Sequence, residues 1–274
     1  MLIINYGARI YHFMNDLDNT MNIPVDFLDR HKINPDMRTK MIDWMVEVLG
    51  VYNCSNETFF LSVFILDFFI FKSPEIIKTE EIHCIGLTSM FIASKFEDLH
   101  PINMANILYK IGHNIFEEKQ ILSMEKKILE TISFENLIRT STNEFIKTYF
   151  YDFRHNNRQA VEDFNVEEDI NKCENLAVYF AKLSCYYDDF YEYSYDLKAI
   201  VCIIASFDTY RNTGNIIKNK NGHTFFMDWV YFLIKESEYS KDKINDAYKK
   251  LIFMYENYNN IPMISYNLDK YHKI

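Results

Sequence analysis

Glycine and proline together number only 11 of 274 residues, about 4% where average usage is near 12%. Sandwiches, barrels and propellers need turn residues roughly every 8–12 positions. So few turn formers leave helices as the natural way to fold this chain. The hydrophobic fraction of 49% is enough for a buried core, and the length fits one large or two ordinary domains.

Helical spacing runs almost end to end. Residues 2–17 carry Ile3, Tyr6, Ile10, Phe13 and Leu17 at that spacing. After Asn34-Pro35-Asp36, the pattern predicts a helix from Met37 to Tyr52 with apolar residues on more than one face, the mark of a helix with several neighbours. Asn56 reads as the N-cap of a second helix, Glu57–Phe71. A third helix is expected over Thr79–Asp98, a short one over Met104–Tyr109 and a fifth over Glu117–Thr131. Ser141-x-x-Glu144 is a capping-box pattern that opens a second helical set. The polar stretch Arg154–Asp169 reads as a surface loop or insertion. Further helices are expected near 170–187, 194–211, 225–234 and 241–257, the middle pair joined by a loop carrying Gly214, Asn215, Asn219, Asn221 and Gly222. The expected fold is all-α, with two bundles of about five helices in tandem behind an N-terminal helix. The divisions fall at 1–35, 36–138 and 139–274.

Charge and cysteine usage narrow the function. The net charge is −10, from 29 basic and 39 acidic residues, and no basic stripe of the kind used for nucleic acid is visible. Direct DNA or RNA binding is therefore not expected. Cys54, Cys84, Cys173, Cys185 and Cys202 form no metal-ligand spacing and read as reduced core thiols. The longest apolar run, Phe59–Phe71, falls short of the roughly 20 residues of a membrane span, so no membrane association is expected. No phosphate-cradling glycine loop and no hydrolase or zinc-protease signature is present. No catalytic residue, metal or cofactor is expected.

The informative stretch is NPDMRTKMIDWMVEVLGVYNCSNETFFLSVFILDFFI, preceded by FLDRHKINPDMR. It is followed by GLTSMFIASKFEDLHP and MEKKILETISFEN in order, and the chain closes on NLDKYHKI. These segments resemble the cyclin box of the cyclins, and most nearly that of the mitotic A/B type. The resemblance covers residues 3–150 well and 170–274 weakly. It implies a non-catalytic subunit that binds and activates a cyclin-dependent Ser/Thr protein kinase in mitotic cell-cycle control, in the nucleus and cytoplasm. Three other readings stay open: a cyclin-fold basal transcription factor that binds DNA and polymerase, a transcriptional-type cyclin or one serving a non-mitotic kinase, and a cyclin-like protein that has lost kinase activation.

The resemblance also assigns residues. Arg38 and Asp67 would pair in the interior, and the residues agree, because a charge inside FILDFFIF needs a partner; the alternative is that Asp67 faces solvent. Lys95 and Glu125 would grip the partner kinase, with Phe96, Leu129, Ile132 and Phe134 as the apolar surround. The alternative is a surface lysine whose stem lies along the helix, and an ordinary helix glutamate. Met37, Met41, Trp44 and Glu47 share a stripe of one helix. With Ile82 and His83 they would form a groove for substrates or inhibitors bearing Arg-x-Leu motifs, against the alternative of core packing. Lys40 departs from the family's aliphatic residue and sets a positive charge beside that groove. Phe68 replaces a basic residue that commonly follows the aspartate. Neither Arg-x-x-Leu after an N-terminal extension nor Lys-Glu-Asn is found, so the destruction elements of mitotic relatives are not expected here.

Overall fold

The computed structural model describes residues 11–18, 22–212, 220–261 and 264–272, with only the backbone for 220–225. Among them there is no strand. Residues 11–18 are helical (α1); residues 2–10 of the expected N-terminal helix lie outside the described residues. The first bundle comprises α2 (Pro35–Val51), α3 (Asn56–Lys72), α4 (Ile82–Glu97), a π-helical turn (Asn106–Ile111) and α5 (Glu118–Ile132). A 3₁₀ turn, Phe134–Leu137, leads to α6 (Thr142–Asn156), α7 (Arg158–Phe164), α8 (Glu167–Ser184), α9 (Tyr195–Asn212), α10 (Lys220–Glu236), α11 (Lys241–Asn257) and the short α12 (Asn267–Tyr271).

Local chemistry starts these helices. The Asn34 side chain accepts the Met37 N–H at 2.8 Å and Pro35 follows in the first turn, where its missing N–H costs nothing. The α3 cap is Ser55, one residue before the expected Asn56; its Oγ accepts the Thr58 N–H at 3.1 Å. Ser141 caps α6 in the same way, accepting the Glu144 N–H.

In α3 every residue from Thr58 to Ile70 is buried. A helix that is apolar all round belongs at a bundle centre, and α3 packs against α2, α4, α5 and α6. In the second half α9 holds that place, against α6, α8, α10 and α11. The segment expected as a loop, Arg154–Asp169, is helical: α6 runs to Asn156, α7 fills 158–164 and α8 begins at Glu167. Arg154 ties α6 to α8 through Glu167, Asn171 and Glu174 at 2.7–2.9 Å. Asn221 and Gly222, expected in a loop, sit in α10, while Gly214, Asn215 and Asn219 lie outside the described residues.

The two halves meet along a polar seam. Asp43 of α2 is 2% exposed. It accepts hydrogen bonds from the Tyr186 hydroxyl at 3.0 Å and from the backbone N–H groups of Ser265 and Asn267 at 2.8 and 2.9 Å. The Asn267 side chain adds a bond at 3.1 Å. Residues 264–272 thus form a strap that ties the end of the chain to α2. On the other side Tyr11 of α1 donates to Asp196 at 2.9 Å, anchoring α1 to the second half.

Candidate interaction site

Lys95 stands in the last turn of α4 and Glu125 in the middle of α5. The packing of these two helices against each other brings the side chains into an ion pair. Lys95 also lies 3.9 Å from the centre of the Phe91 ring, a cation–π contact. The pair is only partly shielded, with 38% of the Lys95 side chain and 16% of Glu125 exposed. Asp98 fixes the end of α4 by accepting the Ser55 N–H at 3.0 Å, so the SKFED run is locked to the start of α3.

Apolar side chains flank the pair. Phe96 and Phe134 meet edge to face at 6.2 Å, and both are exposed. Leu129 is half-buried against the core. Ile132 is 1% exposed and packs inward, so it supports the patch from below and offers no surface of its own. Leu99, four residues after Lys95, is 95% exposed, and Ile138, four residues after Phe134, is exposed as well. A cluster of exposed large apolar side chains around one ion pair is the composition of an interaction surface. In the sequence, Leu99 carried a usable signal: an apolar residue directly after the charged KFED run.

Arg38 and Asp67 pair in the interior, Nε to Oδ1 at 2.8 Å and Nη2 to Oδ2 at 2.6 Å, both side chains essentially unexposed. Burial works against the guanidinium charge. Asp67's charge and hydrogen bonds outweigh it and hold the Arg38 pKa above its ordinary value. The third member of this cluster was not foreseen: the Tyr191 hydroxyl, from the second half, donates to Asp67 Oδ2 at 2.6 Å. Burial and the Asp67 charge raise the Tyr191 pKa, so this hydroxyl keeps its proton.

Along the α2–α4 seam, Met37, Trp44, Glu47 and His83 are half-buried. Trp44 meets His83 edge to face at 5.0 Å, and His83 meets Phe116 at 5.2 Å. Burial and the nearby His113 lower the His83 pKa. Met41 and Ile82 are buried: Met41 packs over Gly86, where an added Cβ would lie 2.3 Å from its Sδ. Glu47 accepts a bond from the Asn267 side chain at 3.3 Å, and Lys40 is exposed.

Among the described residues the fold is two helical bundles in tandem, the first carrying an ion pair flanked by exposed aromatic side chains. Residues 9–136 match the N-terminal domain of the cyclins. The G2/mitotic-specific cyclin-B of Patella vulgata is 33% identical over 133 residues, 48% of this chain and 32% of that protein. Cyclin-A2 of Gallus gallus is 26% identical over 260 residues, 89% of this chain and 60% of that protein. The X-ray structure of a viral cyclin from herpesvirus saimiri superposes with a TM-score of 0.56 at 16% identity, covering 81% of this chain and 96% of that one. Residues 9–136 are thus similar to the N-terminal cyclin domain, and the relatives that this part of the chain resembles are cyclins of the A and B types. The chain spans about a third of the length of the cyclin-B relatives it matches.

Proposed function

We propose that this chain is a regulatory, non-catalytic cyclin subunit that binds and activates a cyclin-dependent Ser/Thr protein kinase in mitotic control, acting in the nucleus and cytoplasm. Residues 36–138 serve as the first cyclin box and 139–274 as the second cyclin-fold domain. The observation that carries the reading is the Lys95–Glu125 pair set among exposed Phe96, Phe134 and Leu99. In the proposed complex this face docks on the mobile αC helix of the kinase. Docking favours the position in which that helix's glutamate pairs with the ATP-binding lysine. The chain contributes binding energy to one conformational state and no catalytic group. The α2–α4 seam holds Arg-x-Leu motifs of substrates or inhibitors, Glu47 meeting the basic residue.

The test is the double variant Lys95→Ala/Glu125→Ala. It keeps its helical circular dichroism and loses both co-purification with the kinase and its activation. A correctly folded double variant that still activates its kinase overturns this interface.

A further inference from the structure

Between the two bundles lies a cavity of about 30 Å³, room for one atom the size of a water oxygen or a chloride. Three cationic side chains line it, Arg38, Arg139 and Lys198, and no carboxylate does. Asp67 neutralises Arg38. The other two have no such partner. Lys198 is 6% exposed, and among the described residues its ammonium makes no hydrogen bond or ion pair. It rests over the rings of Tyr191 and Tyr195, 5.0 and 4.7 Å from their centres. Arg139 lies over Phe64 at 4.1 Å and donates through Nη1 to the Phe60 carbonyl, but its buried Nε–H has no acceptor. Asp18 and Glu144 act on Lys198 and Arg139 through space without pairing with them; Asp18 spends one oxygen on the Tyr195 N–H.

We propose that this cavity is a binding site for a small monovalent anion of the chloride class, held by Lys198 and the Arg139 Nε–H. A water molecule would satisfy the Nε–H but not the charge. Leaving the buried Lys198 ammonium uncompensated costs several kcal/mol, and a single monovalent anion relieves it while accepting the Arg139 Nε–H. Burial lowers the Lys198 pKa to about 8, and an anion beside the ammonium would raise it again. The lining is drawn from both halves, Phe60 and Phe64 from α3, Lys198 and Tyr195 from α9. The anion therefore acts as a staple between the bundles, independently of any partner protein.

The experiment compares thermal unfolding of the full chain in sodium chloride and in sodium gluconate at equal ionic strength, gluconate being too large for the cavity. Chloride at ten times its Kd shifts the folding equilibrium about 11-fold toward the native state, and the Lys198→Met variant loses that shift. Equal unfolding temperatures in the two salts overturn the site, and so does a chloride effect that Lys198→Met leaves unchanged. Should Lys198→Met not fold, crystals of the unaltered chain grown in sodium bromide decide. An anomalous bromine peak in the cavity supports the site, and water alone there overturns it.

Discussion

The Arg38–Asp67–Tyr191 cluster gives the sharpest energetic test, because its members come from α2, α3 and the second half. Asp67→Asn keeps the shape of the side chain and removes its charge, stranding a guanidinium that is 1% exposed. Removing one partner of a buried pair costs about 3–5 kcal/mol. Tyr191→Phe removes one hydrogen bond to a charged acceptor, about 1.5–3 kcal/mol. Replacing both charges at once, as Arg38→Met/Asp67→Leu, removes the desolvation penalty along with the attraction. That variant is expected within about 1–2 kcal/mol of the parent. The double variant is thus more stable than Asp67→Asn, a strongly non-additive cycle. Equilibrium urea unfolding reads this directly, since the two tryptophans, Trp44 and Trp229, fall one in each half. Versions of the chain keeping one tryptophan each follow the halves separately. The cluster bridges the halves, so both transitions move together on Asp67→Asn. A loss below about 1 kcal/mol for Asp67→Asn, or a double variant as damaged as the summed singles, refutes the reasoning.

Other outcomes follow from the same geometry. Gly86→Ala drives a methyl into buried Met41; overpacking of about 1–3 kcal/mol exceeds the helix-propensity gain of about 1 kcal/mol, so the urea midpoint falls. Met37→Ala with Trp44→Ala weakens phosphorylation of Arg-x-Leu substrates and spares a minimal peptide; equal loss on both assigns these residues to the core. Asn267→Ala strips the side-chain bonds from Asp43 and Glu47, lowering stability by about 1.5–3 kcal/mol and raising hydrogen exchange across residues 264–272.

Helix content was legible because it follows from local rules: few turn formers, apolar spacing near 3.6 and polar caps at the starts. That Asp67 needs a partner was legible, since an aspartate in the middle of FILDFFIF has no inexpensive way to stay unpaired; that the partner is Arg38 came from the resemblance to the cyclin box. Polarity misled at Arg154–Asp169. It reports exposure, not conformation, and a short helix with one buried side chain, Val161, looks like a loop. The resemblance assigned Met41 and Ile82 to a docking groove and Ile132 to the kinase surround, but all three are buried, because apolar residues at such positions serve the core as readily as a surface. The NLDKYHKI ending was recognisable, but the bonds of Tyr191 to Asp67 and of the strap to Asp43 were not, because they span separations of 124 and more than 200 residues. Such contacts are set by how two bundles pack, which no local pattern encodes.

The two proposed surfaces differ in what they require of the rest of the chain. Lys95 and Glu125 hold each other in the free chain, and an exposed pair of this kind contributes only about 0–1 kcal/mol. A partner that takes either group into its own hydrogen bonds therefore gives up little, and finds both side chains already placed, which reduces the ordering cost of binding. Everything that positions them, α4, α5 and the Asp98 lock on α3, belongs to the first half. The α2–α4 seam is different. Its acidic Glu47 is bonded by Asn267 of the strap, and Asp43, one turn earlier on α2, accepts further strap bonds from Ser265 and Asn267. Loosening the strap frees Glu47 for a basic side chain while removing the support under the helix that presents it. In the proposed function, kinase engagement thus rests on the first bundle's own geometry, whereas motif docking would depend on how tightly residues 264–272 are held.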